Sequence, residues 1–294
     1  ELRSLTRKYY DLTDERSAHI NKLKGDLHTV FPQYLDVFCD VTGKTSTMIL
    51  RQYGTPDKIL RGHKKTMIEK ISKASRKGLA KASERYEKLC AAANAAKTFG
   101  CQIDSIYFNI FLTLDLVEKL DSALDSILNR IRQLITFNKN EKFIQQIKLL
   151  NTIPGVGFLT AVTIMCEIGD FSAFRNPKQL FAYFGLDPEV NESGKFVGTQ
   201  LHMSKRGSRI ARRAIFAVAL ASIRTKRNGE GINPYLRKYY ELKSGQKPKM
   251  VAIGAVMHKV CNIVFAVLRD EKAFELRSPE EHCKQYQRPA LAAA

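Results

Sequence analysis

At 294 residues the chain is long enough for one large or two ordinary domains, and 44% hydrophobic residues are enough to bury a core. A net charge of +19 and a pI near 9.7 make nucleic acid the default partner, ahead of an anionic membrane surface. The cysteines (Cys39, Cys90, Cys101, Cys166, Cys261, Cys283) include no C-x-x-C pair, which argues against a metal site or disulfide framework and suits a reducing cytosol. No signal peptide and no run of 18 apolar residues stands out, so no transmembrane helix is expected.

The excess charge is gathered in two windows. Residues 61–89 carry ten Lys/Arg against three acids, and residues 195–250 carry fourteen against two, so the rest of the chain sums to zero. Blocks of this kind look like binding footprints, whereas a solubility surface spreads its charge.

In chain order, Leu2, Leu5, Tyr9, Leu12, Ile20, Leu23, Leu27 and Val30 predict one long amphipathic helix, stopped at Pro32. Its acids Asp11, Asp14, Glu15 and Asp26 lie along that helix as surface charges and do not suggest metal ligands. Because Glu1 opens inside the pattern and the chain closes on Ala292–Ala294, an upstream part is expected to be missing. Residues 33–60 read as short helices, and the basic window as helical with an Ala-rich end.

Ile103, Ile106, Ile110, Thr113, Val117, Leu120, Leu124, Ile127, Ile131 and Leu134 then alternate steps of three and four, a coiled-coil seam. Its partner is either residues 63–98 of the same chain or a second copy, with a slight leaning to oligomerisation. Phe108, Phe111, Leu112 and Leu116 widen the first half of the stripe, so that end is expected to pack against more than one helix. Beyond Asn140, helices are predicted near 141–151, 158–168, 176–184, 207–226, 233–240 and 248–269, with a loop or short hairpin over 185–203 and a loose polar tail past about 275.

Three motifs bear on chemistry. Leu149 to Gly157, followed by Thr160, Ala161 and Ile164, reads as a helix–hairpin–helix. Gly155 and Gly157 admit unusual backbone angles there, and with Val156 they let peptide N–H groups approach a phosphate. An ordinary tight turn between helices is the plainer alternative. The second motif is the basic run of Lys205, Arg206, Arg209, Arg212 and Arg213, expected on one helical face with Ile210, Ala214, Phe216, Ala217, Val218 and Leu220 buried. No acid occurs between residues 193 and 229, which favours backbone-phosphate contact, with Lys195 joining it. The third is the polar loop around Ser193 and Gly194; taken alone it is a turn, since a lone serine needs activation to act as a nucleophile.

Taken together, I-P-G-V-G at 153–157, E-I-G-D-F at 167–171, F-A-Y-F-G-L-D-P at 181–188, S-G-K-F at 193–196 and H-M-S-K-R-G-S at 202–208 resemble the C-terminal domain of the serine-dependent DEDD insertion-sequence transposases. That family includes the pilin invertase and the bridge-RNA-guided recombinases. The resemblance implies that Ser193, in a P-x4-S-G segment, attacks DNA and forms a phosphoserine link. It also implies that the Mg²⁺-binding carboxylates lie in an upstream RuvC-like domain and not in this chain, so these residues alone are expected to bind without recombining. A guide RNA is implied only by analogy with some members.

The reading is therefore mainly α. It divides into a helical linker (1–60), a coiled-coil arm (61–140), a serine transposase domain (141–275) and a tail (276–294), with DNA and a second copy as partners. Two rivals remain: a non-catalytic helix–hairpin–helix binding and dimerisation module, and a pure coiled-coil scaffold.

Overall fold

The computed structural model describes residues 1–99, 103–189, 192–193, 196–197, 202–278, 280–281 and 284. It is mainly α, with thirteen α-helices and one two-stranded ribbon among the described residues. Backbone contacts divide the chain into two units, one formed by residues 8–129 and one by residues 1–7 and 130–294.

The first unit runs from α1 (Leu2–Val30, whose first turns belong to the other unit) through α2 (Tyr34–Val37), α3 (Lys44–Gln52), α4 (Pro56–Arg61), α5 (Lys64–Ser75), α6 (Leu79–Phe99) and most of α7 (Asp104–Thr136). Apolar residues at three- and four-residue steps meet in one core, where Leu23, Leu27, Ile49, Met67, Ile71, Leu89, Tyr107, Ile110 and Leu114 are all buried. Phe31, Tyr34 and Phe38 stack with centroids 5.1 and 4.9 Å apart. The Tyr34 hydroxyl lies 2.9 Å from Ser46 Oγ, so the polar end of this buried ring is satisfied, and burial pushes its phenol well above the ordinary range. Ala82, Ala92, Ala93 and Ala96 on α6 are small enough for α2, α4 and α5 to pack closely against it. Bidentate Arg16–Asp121 and Arg51 on Asp115 and Glu118 tie α1 and α3 to α7.

The basic window is helical as expected, and it divides in two because Arg76 adopts the left-handed region (φ 53°) and Gly78 follows, which stops α5 and starts α6. This end of α7 meets both α1 and α3, but Phe108, Leu112 and Leu116 are 62, 46 and 44% exposed and contribute little to that packing among the described residues. The inward face of α7 is instead carried by Tyr107, Ile110, Leu114 and Val117, and Phe111 covers Gly54.

In the second unit the helices are α8 (Glu141–Leu150), α9 (Phe158–Ile168), α10 (Pro177–Tyr183), α11 (Arg209–Ile223), α12 (Pro234–Ser244) and α13 (Lys249–Asp270); the strands are β1 (Glu192–Ser193) and β2 (Phe196–Val197). Their starts follow from the sequence. Asn140, Asn176, Ser208 and Asn233 each accept a hydrogen bond from a first-turn amide, and Pro177 and Pro234 occupy the first helical positions. On α11 the buried stripe is Ala211, Ala214, Ile215, Val218, Ala219 and Ser222; Ala217 is exposed, a quarter-turn from the expected face. One helix, α13, is long and apolar enough to cross a membrane by length and composition alone. Its residues Ala252, Val256, Val260, Cys261 and Val264 are fully buried against α8, α10, α11 and α12, so it is the central core helix of this unit.

Candidate nucleic-acid interface

Two helices joined by a tight turn stand where the hairpin is expected. α8 ends at Leu150, successive amide bonds close the turn (Thr152 to Leu149 at 3.1 Å, Ile153 to Leu150 at 3.1 Å, Val156 to Ile153 at 2.9 Å), and Ile153 and Val156 are buried. Gly155 has φ +95°, and a Cβ there would lie 3.0 Å from Ser222 Oγ and 3.2 Å from Ala221 Cβ. The turn is thus seated on the end of α11, and Ser222 donates to the Pro154 carbonyl at 3.0 Å. Gly157 differs from expectation: its φ of −91° and ψ of 168° are open to any residue. What glycine provides there is space, because an added Cβ would meet nothing within 4 Å. Gly157 is exposed and caps α9 without a side-chain acceptor, and the first turn of α9 holds no acid, so the N–H groups that open this helix carry uncompensated positive potential.

The polar loop is pinned at its base. Gly185 (φ +66°) crosses Gly207 so closely that a Cβ on Gly207 would fall on the Tyr183 carbonyl oxygen and 2.7 Å from Gly185 N. Above the crossing, Lys205 N donates to Gly185 O (3.0 Å), Ser204 N to Asp187 O (2.8 Å) and Glu189 N to His202 O (2.7 Å), with Pro188 opposite Met203 in an antiparallel bridge. Ser204 Oγ donates to the Asp187 carboxylate at 2.6 Å, so Ser204 serves the loop base and is not a helix cap. Between these ends of the loop, β1 and β2 pair antiparallel with Ser193 opposite Phe196. Ser193 follows Pro188 by five residues and therefore lies within about 17 Å of it even at full extension. Lys195 lies outside the described residues.

The basic run is divided among tasks. α11 begins at Arg209, two residues later than expected, because Ser208 caps it through the Ala211 amide at 3.2 Å. Lys205 (φ 53°) and Arg206 consequently precede the helix and do not share a helical face with Arg209. Arg212 is corrected most. Its Nη1 donates to the carbonyls of Phe184 (3.2 Å), Lys205 (3.1 Å) and Gly207 (2.7 Å), and burial lowers its pKa. This guanidinium locks the glycine crossing to α11, a structural task that the charge pattern did not signal. Lys205, Arg206 and Arg209 are exposed, and Arg213 is half-buried one turn beyond Arg209.

Sequence reasoning passed over Arg224, Lys226 and Arg227. They are exposed on a short loop closed by Lys226 N to Glu230 O (2.7 Å) and a Thr225–Gly231 bridge. That loop leaves α11 after Ile223, one residue beyond Ser222, which donates to the Pro154 carbonyl of the turn before α9. The usable signal was the three cations' membership of the acid-free run from 194 to 229.

Glu167 was also missed. It is a 2%-exposed carboxylate on α9, held bidentately by Arg7 Nε (2.8 Å) and Nη2 (2.9 Å), while Arg3 Nε donates to the neighbouring Cys166 carbonyl at 2.6 Å. The Arg7 hydrogen bonds hold its pKa below the ordinary 4.5 against the opposing effect of burial, and Ser208 adds a further hydrogen bond. A carboxylate with a lowered folded pKa stabilises the fold above its unfolded value and loses that contribution as pH falls through the folded one. Stability should therefore fall with acidification below about pH 4.5, and Glu167→Gln should flatten that slope. At pH 7, Arg7→Ala strands the buried charge and is expected to cost about 3 kcal/mol. Glu167→Gln frees a half-exposed arginine into water and should cost only about 1 kcal/mol. Urea unfolding of both variants measures the asymmetry, and equal losses would contradict it.

Among the described residues no group of three or more His, Cys, Asp or Glu side chains is placed to hold a metal ion. Asp11, Asp14, Glu15 and Asp26, spread along α1, do not form such a site.

The chain is 30% identical over 177 residues to the pilin gene-inverting protein of Moraxella bovis, covering 60% of this chain and 52% of that protein. It is 26% identical over 188 residues to the transposase for insertion sequence element IS1111A of Coxiella burnetii (62% and 50%). It is 24% identical over 272 residues to an uncharacterised 43.6 kDa protein of insertion element IS110 from Streptomyces coelicolor (92% and 63%). The chain thus spans between half and two-thirds of the length of these curated relatives. Residues 147–241, which hold the hairpin turn, the ribbon, the basic segment and the 224–231 loop, match the model of the transposase IS116/IS110/IS902 family.

Proposed function

We propose that this chain is the DNA-handling part of a transposase or site-specific recombinase, and that it presents Ser193 as the nucleophile. The observation that supports the reading is the pinned loop base: the Gly185–Gly207 crossing and Arg212 hold residues 185–189 against 202–207, the segment between them carries Ser193, and Lys205, Arg206 and Arg209 are exposed at and just after that base. In the step proposed, Ser193 Oγ gives up its proton and bonds to a backbone phosphorus, and the bond from that phosphorus to one bridging oxygen breaks, the freed hydroxyl taking a proton. The number of phosphodiester bonds is unchanged, so a hydroxyl of a second strand completes exchange by the reverse attack and regenerates the serine. Lys195, Lys205, Arg206, Arg209, Arg213 and the amides at Gly155, Val156 and Gly157 contact phosphates. Arg224, Lys226 and Arg227 extend that grip, and Arg212 contributes by holding the loop base.

Mg²⁺, held by carboxylates outside these residues, would neutralise charge on the reacting phosphate. No residue of this chain is assigned to it. A guide RNA and a second copy of the chain are partners in the same reading; the exposed stripe of Phe108, Leu112 and Leu116 gives that copy an apolar surface on α7.

Salt titration tests the binding half. Converting Lys205, Arg206 and Arg209 together to alanine should lower the slope of log K against log[salt] by about 0.9 for each phosphate no longer neutralised, close to 3 in all. An unchanged slope would remove this surface from DNA binding.

A further inference from the structure

The first basic window is not absorbed by that function. Several of its cations are already engaged: Lys64 lies over the Tyr86 ring, Lys70 over Tyr53 and Arg85 over Phe38, while Lys88 pairs with Glu84 at 2.8 Å. Of the six that remain, Arg61 ends α4 and Lys65 lies in the first turn of α5, while the other four gather at one place, the end of the helical hairpin where α5 turns into α6. Lys73, Arg76, Lys77 and Lys81 are all exposed there and no acid occurs between residues 70 and 83; Lys81 acts on the Glu84 carboxylate three residues on, which Lys88 already pairs. At 1.5 Å of rise per residue, Lys73 and Lys81 both lie within about one helical turn of the connection.

The connection is also built to hold its shape. Ser72 Oγ donates to the Lys77 carbonyl at 2.8 Å, and Lys77 N donates to Ser75 Oγ at 3.3 Å. Arg76 occupies the left-handed position that closes α5 (φ 53°, ψ 28°), where glycine is the low-cost residue. A charged side chain at a strained position, beside three more cations, suggests that its charge is used.

We propose that the end of the α5–α6 hairpin is a second contact for the phosphodiester backbone of a nucleic acid, made through Lys73, Arg76, Lys77 and Lys81. It goes beyond the function proposed above, since the hairpin belongs to the other unit and lies outside residues 147–241. Four exposed cations in so compact a cluster complement a duplex that carries one negative charge per about 1.7 Å of axis. An anionic membrane is the weaker occupant. Leu79 is the one large apolar side chain exposed at this end, between Gly78 and Ala80, and a single leucine gives no apolar face to bury in a bilayer.

The test uses the whole chain and three fluorescent probes: a DNA duplex of about 30 base pairs, an RNA duplex of the same sequence, and phosphatidylserine-containing vesicles. In the quadruple variant Lys73→Ala, Arg76→Ala, Lys77→Ala, Lys81→Ala, the salt slope for at least one duplex should fall by about 0.9 for each phosphate released, up to about 3.6. Affinity at about 100 mM salt should drop at least tenfold. The same weakening should appear when Lys205, Arg206 and Arg209 are already alanine, so failure of the hairpin and failure of the other surface are read separately. Weakening on DNA alone, RNA alone or both assigns the source of the phosphates, and each supports the proposal. Unchanged slopes for both duplexes, or an effect confined to vesicles, would overturn it. Arg76→Gly guards against misfolding: it should leave the melting temperature unchanged or higher while weakening duplex binding. Full binding by that variant together with an unchanged quadruple variant would reduce the turn to a folding device.

Discussion

Gly207→Ala should be among the most destabilising single-methyl additions in this chain. The new Cβ would fall on the Tyr183 carbonyl oxygen and within 2.5 Å of the Phe184 carbonyl carbon, both backbone atoms that no rotamer change can move aside. Gly185→Ala meets the Gly207 and Arg206 amides and adds the strain of φ +66°. Relief requires the two segments to separate, which breaks the Lys205–Gly185 and Ser204–Asp187 hydrogen bonds and pulls Arg212 from its carbonyls. The expected cost is about 4 kcal/mol or more for either substitution, measured by urea unfolding. The Cβ built at Gly157 meets nothing, so Gly157→Ala should lie within about 0.5 kcal/mol of the parent. A Gly207→Ala protein as stable as the parent would show that the loop base is not pinned where it is described.

The second large effect is on chemistry. In the intact gene product, Ser193→Ala should reduce strand exchange by about 10³-fold or more while duplex affinity stays within about twofold of the parent. A suicide duplex with bridging sulfur, prepared in both the 3′ and 5′ forms, gives a thiolate leaving group that returns poorly, so an adduct should accumulate with the parent and not with the variant. Equal accumulation by both proteins would remove Ser193 from the mechanism. Binding without an adduct in the parent would leave a non-catalytic clamp, the rival reading.

Much of the fold was legible because it is local. Steps of three and four residues marked α1, α7, α8, α9 and α13 nearly to their ends, and the Asn-Pro pairs at 176–177 and 233–234 marked two helix starts. The hairpin turn was legible for the same reason, down to a glycine that needs positive φ at 155. What the sequence hid are interactions between distant positions. Glu167 looks like any acid until Arg7, 160 residues away, closes on it. Arg212 reads as one more cation in a basic run, yet three carbonyls exposed by the glycine crossing turn it inward. The crossing itself joins residues 22 positions apart through the absence of side chains, which leaves no periodic trace. Phe108, Leu112 and Leu116 share a helix with the buried seam, and periodicity alone did not separate the covered stripe from the exposed one.

The central claim is that a hydroxyl at position 193 is carried on a loop whose pinned base bears phosphate-binding cations. Protease digestion of the trapped protein–DNA adduct followed by mass spectrometry tests it most directly. The nucleotide-bearing peptide should contain Ser193, and fragmentation should place the phosphate on its Oγ. A phosphate found instead on Ser204, Ser208 or any tyrosine would contradict the claim.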